Sequence, residues 1–399
     1  MRVCFLNRFY WPDEPATAQL LADLAEGLAA RGHEIRVIAS RPHRPGSPWS
    51  ETHRGAAIRR VRSTHWGRHS LAGRVVDFAT FYVGAVWRLW RDVRRGDVVV
   101  VLTDPPLIGL YAWPVVRLRG ARLVHWVQDI YPEIAMELTP HRWLRIFRPL
   151  RNLAWRRAEA CVTLGADMAA VLAKAGVAGK RIHLRPNWAP VGLEPPPAAE
   201  IAALRRAWGL EGRFVVAYSG NLGRVHDLAP VLDVAAALQD HPEIVFVFVG
   251  QGAQRTALEA EARARGLDRL QFHPPQPRAR LAVTLAAGDV HLVTLRPGCE
   301  PLVFPSKLYG IAAVGRPVLF IGPRDCELAR LVAARGLGQA FARDEIAAIA
   351  ASLLTLAAGA AGAAKPRAAA RAFAAETDLA HAVDAWETLL TTQLAPASP

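Results

Sequence analysis

Lysine is almost missing from this chain. There are four, at 174, 180, 307 and 365, against forty-five arginines in 399 residues. A lysine retained in such a background marks a place where a compact point charge serves better than a planar fork. Cysteine is equally scarce. Cys4, Cys161, Cys299 and Cys326 have no metal-ligand spacing and read as reduced thiols rather than disulfides. Long apolar runs are absent too. Apolar residues make up 52% of the chain, yet none of its runs reaches the roughly 18–20 uncharged residues of a membrane span. The N-terminus, MRVCFLNRFYWP, lacks a signal-peptide pattern and enters a strand-like run directly, which reads as cytoplasmic. No nucleic-acid motif occurs, so nucleic acid is not expected as a partner.

Acidic residues are short in one half only. Residues 1–190 hold 29 Lys and Arg against 15 Asp and Glu, whereas residues 191–399 hold 20 of each. The whole net charge of +14 therefore belongs to the first half. A basic half beside a neutral one points to a domain that meets an anionic surface or substrate.

Strand and helix signals alternate along both halves. Val3–Phe9, Glu34–Ala39, Val98–Leu102, Leu123–Val127, Cys161–Leu164 and Ile182–Leu184 read as strands, and Ala16–Ala30 as a helix. A proline-rich stretch, APVGLEPPPA, reads as a linker. Beyond it the alternation resumes, with strands at Phe214–Tyr218, Ile244–Val249, Leu270–Phe272 and Val290–Thr294. Helices are expected at Leu228–Leu238, Gln254–Ala264 and Arg278–Ala287. The pattern predicts an α/β protein of two doubly wound domains facing a cleft. The expected boundaries are 1–188, a linker at 189–200, 201–375, and a C-terminal helix over 376–394 that could cross back to the first domain.

The most informative segment is 301–322, PLVFPSKLYGIAAVGRPVLFIG. Lys307 to Val314 reads as a short helix closed by Gly315, and Pro317 leads into strand Val318–Ile321. Lys307 then sits in a first helical turn, a natural seat for a diphosphate, unless it is merely a solvated lysine. Strand Phe214–Tyr218 ends in Ser219-Gly220-Asn221-Leu222-Gly223-Arg224, where small residues let amides approach an anion and Arg224 adds charge. A second turn, Gly250-Gln251-Gly252, follows another strand; it reads either as a phosphate cradle or as a plain strand-to-helix turn.

The segments YSGNLGR, FVFVGQGAQRTALE and PSKLYGIAAVGRPVLFIG, in that order, resemble the donor domain of family 4 glycosyltransferases with the GT-B fold. FYWPDEPATAQLLADLAEGLAARGHEIRVIAS, VHWVQDIYPEIA and LRPNWAP resemble the acceptor domain of the same family, nearest its colanic-acid and O-antigen exopolysaccharide branch. The resemblance implies two Rossmann-like domains, a UDP-sugar donor, a retaining transfer and no metal or other cofactor. It also implies a polyprenyl-diphosphate-linked sugar as acceptor. Gly220, Asn221, Gly223, Arg224, Gly250, Gly252, Ser306, Lys307 and Leu308 become donor contacts, with Arg224 and Lys307 holding the diphosphate. Many members carry two glutamates eight positions apart; here those positions are Leu302 and Gly310. Glu327 is the candidate for the lost ribose contact, and Glu300 for a donor-sugar hydroxyl. The family's phosphate-binding Arg and Lys in the first donor loop fall on Asn221 and His226.

In the first half, His125, Asp129 and Glu133 surround the end of a strand. Asp129 is placed to accept a proton from an acceptor hydroxyl, or to cap the turn before Pro132; His125 reads as a core histidine. Residues 74–91 and 141–157 mix aromatic residues with arginines. They read as interfacial helices that seat the protein on an anionic inner membrane face, with Trp143 and Phe147 among the headgroups and Arg142, Arg145 and Arg148 on lipid phosphates, or as core helices with a basic face. Two rival functions stand beside the transferase: a soluble sugar-nucleotide epimerase of the same fold, and a non-catalytic peripheral membrane protein.

Overall fold

The computed structural model describes residues 1–13, 15–42, 46–67 and 71–394. The chain divides into two compact units. One comprises Met1–Asn187, Leu302–Phe304 and the residues from 379 onward; the other comprises Trp188–Pro301 and Pro305–Asp378.

The N-terminal unit holds β1 (Arg2–Leu6), β2 (Glu34–Ser40), β3 (Ser50–His53), β4 (Ala56–Val61), β5 (Val98–Val101), β6 (Arg122–Val127), β7 (Ala160–Thr163) and β8 (Ile182–Leu184). Their order in the sheet is β3-β4-β2-β1-β5-β6-β7-β8, parallel except for β3. Helices α1 (Ala16–Ala30), α2 (Leu71–Asp92), α3 (Ile108–Leu118), α4 (Glu133–Leu138), α5 (Arg148–Arg157) and α6 (Ala166–Lys174) complete the alternation. β5 is four consecutive valines, all fully buried, as a strand covered on both faces requires. Strand order reverses between β1 and β5, so their carboxyl ends flank a topological switch point, where open α/β sheets bind ligands.

The C-terminal unit runs through α7 (Ala198–Ala207), β9 (Phe214–Ser219), α8 (Ala229–Ala237), β10 (Ile244–Val249), α9 (Arg255–Ala264), β11 (Leu270–His273), α10 (Leu281–Ala286) and β12 (Val290–Thr294). It continues with α11 (Lys307–Ala313), β13 (Val318–Ile321), α12 (Glu327–Ala334), β14 (Gly338–Phe341), α13 (Ile346–Ala358) and α14 (Ala360–Glu376). The six strands are all parallel, in the order β11-β10-β9-β12-β13-β14. Alternate residues of β9 and β10 feed two separate cores. Val216, Tyr218, Phe246 and Phe248 face one layer; Val215, Ala217, Val245 and Val247 face Leu210 and Trp208. The switch point here lies between β9 and β12.

Three elements differ from the sequence reading. The β3–β4 hairpin was not expected, because its two-residue turn is Arg54-Gly55 rather than Asn-Gly; both residues have positive φ, 43° and 83°. Helix α3 carries Pro114 in its interior, which masks the helical pattern. Residues 142–147 form a 3-10 turn rather than part of a longer α-helix, and α5 starts afresh at Arg148 with Pro149 in its first turn. The final helix, α15 (Leu379–Thr388), belongs to the N-terminal unit, where Trp386 packs edge-on against Trp126 at 4.9 Å.

Candidate active site

In the C-terminal unit, the carboxyl ends of β9 and β12 carry the groups that matter. Lys307 is the first residue of α11, which follows β12. Its ammonium lies 3.7 Å from the centre of the Tyr218 ring, at the end of β9, and has no hydrogen-bond partner. Burial holds its pKa well below the ordinary lysine value. A buried cation with only a ring face to rest on is unstable unless an anion joins it. The solvated-lysine alternative is therefore not what the structure has.

The 220–224 loop runs directly past this ammonium. A side-chain carbon added at Gly220 would come within 3.7 Å of the Lys307 nitrogen, and Gly220 itself has φ +131°. Only glycine takes that backbone readily. His226 donates from Nδ1 to the Thr294 carbonyl at 2.7 Å. Burial, then the Lys307 charge, push its pKa down to about 3. At neutral pH His226 is thus an uncharged group held in one tautomer. Arg224 is exposed, with no hydrogen bond or ion pair among the described residues. Glu300 buries one carboxylate oxygen without a partner.

The second glycine turn is occupied from within. A carbon added at Gly250 would lie 1.9 Å from the Gly220 carbonyl oxygen, and one at Gly252 2.5 Å from the Leu222 backbone. The amides of Gly220 and Leu222 donate to the Val249 and Gln251 carbonyls, each at 2.9 Å. Close packing of two loops accounts for both glycines, which favours the plain-turn alternative. Asn221 and Gly223 belong to the inner loop, and Ser306 and Leu308 bracket Lys307; Leu308 is fully buried. Glu327 opens α12 just past β13, on the same sheet edge. Gly310 is buried, and a carbon added there would lie 3.4 Å from each of Leu193 and Leu285. A carboxylate at that position would meet apolar side chains.

In the N-terminal unit, Asp129 follows β6. Its backbone N–H donates to the Thr103 hydroxyl at 3.3 Å, and the next amide, that of Ile130, donates to the Leu302 carbonyl at 2.9 Å. The Asp129 carboxyl makes no hydrogen bond or ion pair among the described residues. Burial, then the charge of Asp104, push its pKa up to about 6. Helix α4 takes Pro132 as its N-cap with no side-chain cap bond, so Asp129 is not a cap. A small pocket is lined by Thr103, Gly109, His125, Asp129, Tyr131 and Trp155, among others. His125 is buried, its Nε2 has no partner, and burial lowers its pKa to about 4, as for a core histidine. Glu133 is structural. Arg151 holds its Oε2 at 2.8 Å and Arg148 its Oε1 at 2.7 Å, and these bonds outweigh burial and depress its pKa.

Arg148 is paired with Glu133 while its side chain stays 49% exposed. Arg142, Trp143 and Arg145 are exposed, and Phe147, half-buried, meets Trp143 edge-on at 6.1 Å. Helix α2 has two apolar stripes. Phe81, Ala85 and Leu89 are buried, while Val83, Trp87 and Trp90 are 74%, 54% and 49% exposed. Arg91 lies over the Trp87 ring at 4.9 Å and Arg119 over Trp90 at 5.5 Å. No helix among the described residues is long and apolar enough to cross a membrane.

Comparison with known proteins agrees with this geometry. Residues 17–188 match the family described as "Glycosyl transferase 4-like domain", and residues 200–372 match "Glycosyl transferases group 1". WcaI of Escherichia coli K12, named as a glycosyl transferase of colanic acid biosynthesis, is 28% identical over 83% of this chain and 86% of its own. WbjE of Pseudomonas aeruginosa, named as a glycosyltransferase, is 31% identical over 63% of this chain and 64% of its own. The crystal structure of HepE from Anabaena in complex with UDP superposes with a TM-score of 0.74 at 17% identity, covering 98% of this chain and all of that one.

Proposed function

The chain belongs to the family 4 glycosyltransferases of the GT-B fold, and on that premise we propose that it moves a sugar from a UDP-sugar to a lipid-linked acceptor in surface-polysaccharide synthesis. The observation that carries the donor half is the buried, unpartnered ammonium of Lys307 beside Gly220. A diphosphate supplies the anion that this ammonium lacks. As the bond from the anomeric carbon to the diphosphate breaks, negative charge grows on the leaving oxygen, and Lys307 with the exposed Arg224 stabilises it. No metal is needed in this account. Glu327 takes the ribose hydroxyls in place of the family glutamate, and Glu300 a hydroxyl of the donor sugar.

The acceptor hydroxyl attacks the anomeric carbon and gives up its proton either to Asp129 or to the departing diphosphate; the configuration at that carbon is retained. The acceptor's lipid sets the place of work. The basic N-terminal half, with exposed Trp87, Trp90, Trp143 and Ile146 among arginines, supports docking on an anionic inner membrane face. Names given to relatives, a colanic acid glycosyl transferase among them, support the polysaccharide setting. Titration of the intact chain with UDP, GDP and a panel of their sugars by calorimetry tests the donor assignment. Tighter binding of GDP than UDP would overturn it.

A further inference from the structure

The carboxyl edge of the N-terminal sheet carries a second acid, Asp104. β5 and β6 run parallel with Val101 opposite His125. Asp104 stands three residues beyond the first and Asp129 four beyond the second, so the register brings both to one level at the carboxyl edge, beside the switch point between β1 and β5. Thr103 ties the two loops together by accepting the Asp129 amide. The Asp104 carbonyl accepts the Arg8 amide at 2.8 Å, but the Arg8 guanidinium turns to Asp77 at 3.4 Å. Asp77 also accepts from the Thr64 hydroxyl and from the amides of Trp66 and Gly67. Arg8, whose charge opposes the rise at Asp104, is therefore already paired with Asp77. Among the described residues, Tyr82 on α2 and Tyr131 both feel the Asp104 charge, Arg74 on α2 acts on Tyr131, and His125 and Arg151 line the Asp129 pocket, Arg151 being bonded to Glu133. Neither carboxyl makes a side-chain hydrogen bond or ion pair among the described residues. His125 Nε2, buried and unpartnered, lines the same pocket as Asp129.

We infer that Asp104 is a positioning residue for Asp129, and that the two carboxyls work as one unit in which Asp104 sets the charge state of the Asp129 carboxyl that meets the hydroxyls of a sugar. Two like charges at adjacent strand ends, without a cation of their own, resist joint ionisation. Burial raises both carboxyls to about 6, and the charge of Asp104 contributes to the rise at Asp129. The inference rests on the reading of Asp129 as the acceptor-side group, and its first test does not require that reading.

That test is a thermal double-mutant cycle on the full chain, with Asp104→Asn, Asp129→Asn and the double variant, at pH 4.5 and pH 7.5. A carboxyl whose folded pKa is raised contributes stability below its unfolded pKa and loses it as pH rises through the folded value. The wild type therefore carries a penalty at pH 7.5 that either single Asn variant relieves. The expected result is strong non-additivity at pH 7.5 and additivity at pH 4.5; additivity at both would overturn the pairing. The second test is the pH profile of kcat/KM with whichever UDP-sugar the calorimetry identifies. Asp104→Asn should move the acid limb down by roughly one unit, because it frees Asp129 to ionise earlier. A limb that stays in place would overturn the positioning role. If no nucleotide sugar is turned over, the functional reading fails, while the thermal cycle still decides the pair.

Discussion

Replacing Lys307 by Met separates the two things this residue does. Met fills nearly the same space without a charge, so the packing against Tyr218 survives. In the empty protein the substitution removes a buried amino group whose charged form has no hydrogen-bond partner. A lysine with a depressed folded pKa lowers stability at any pH below its unfolded value, so at pH 7 the Met variant should melt at a higher temperature than the wild type. With UDP present the order reverses in effect. A charge-assisted hydrogen bond contributes about 1.5–3 kcal/mol, so its loss weakens UDP binding by roughly 10- to 150-fold. The ligand-induced rise in melting temperature should shrink accordingly. The diphosphate also raises the depressed pKa of Lys307 back toward its ordinary value, so the wild type should take up protons as UDP arrives, the more so the higher the pH. Calorimetry at pH 8 in buffers of different ionisation enthalpy measures that uptake. Three outcomes would refute the reasoning: UDP affinity unchanged in the variant, a lower melting temperature without ligand, or wild-type binding heats independent of the buffer.

Arg224→Ala should weaken UDP binding by about tenfold or more for the same reason, without changing the melting temperature, since this side chain is exposed. Glu327→Gln should weaken UDP binding while leaving pyrophosphate binding intact; equal losses for both ligands would place the ribose contact elsewhere. Asp129→Asn should lower turnover by about 10²–10⁴-fold with UDP affinity preserved, and near-normal turnover would make the departing diphosphate the base. The intact protein should sediment with phosphatidylglycerol vesicles far better than with phosphatidylcholine, with partial release in high salt. Changing Trp87 and Trp90 to Ser together should weaken vesicle binding and spare UDP binding, and sedimentation equal to wild type would remove the docking surface from the account.

The parallel strands were legible because each is a short apolar run between turn residues; β8, β10 and β12 run over the very residues expected. Lys307 was legible by its rarity and by the proline-lined turn before it. Other features needed coordinates. Nothing in the sequence says that the Lys307 side chain turns inward onto Tyr218 instead of outward to water. Gly250 and Gly252 look like a phosphate loop, and only the position of the 220–222 backbone shows what fills the space beside them. The Glu133–Arg148–Arg151 cluster joins residues that look like surface charges until α5 folds back beside α4. Asp104 stayed hidden because its partner sits across a sheet register, which short-range patterns do not encode.

Helix α15 has a bearing on how the protein is made. Val383 packs so closely on α1 that a carbon added at Gly27 would meet it at 2.5 Å. Arg31 and His33, just after that helix, bind Glu387 at 2.6 and 2.7 Å. The N-terminal unit therefore keeps an open flank until the segment from 379 onward has left the ribosome. At roughly 5–20 residues per second that wait is about 10–40 s after residue 187 has been made. During it the apolar side of α1 and the indole of Trp126 stay uncovered, while the whole C-terminal unit is synthesised and free to fold. A nascent chain stalled before residue 379 would be a substrate for chaperones in a way that the finished chain is not.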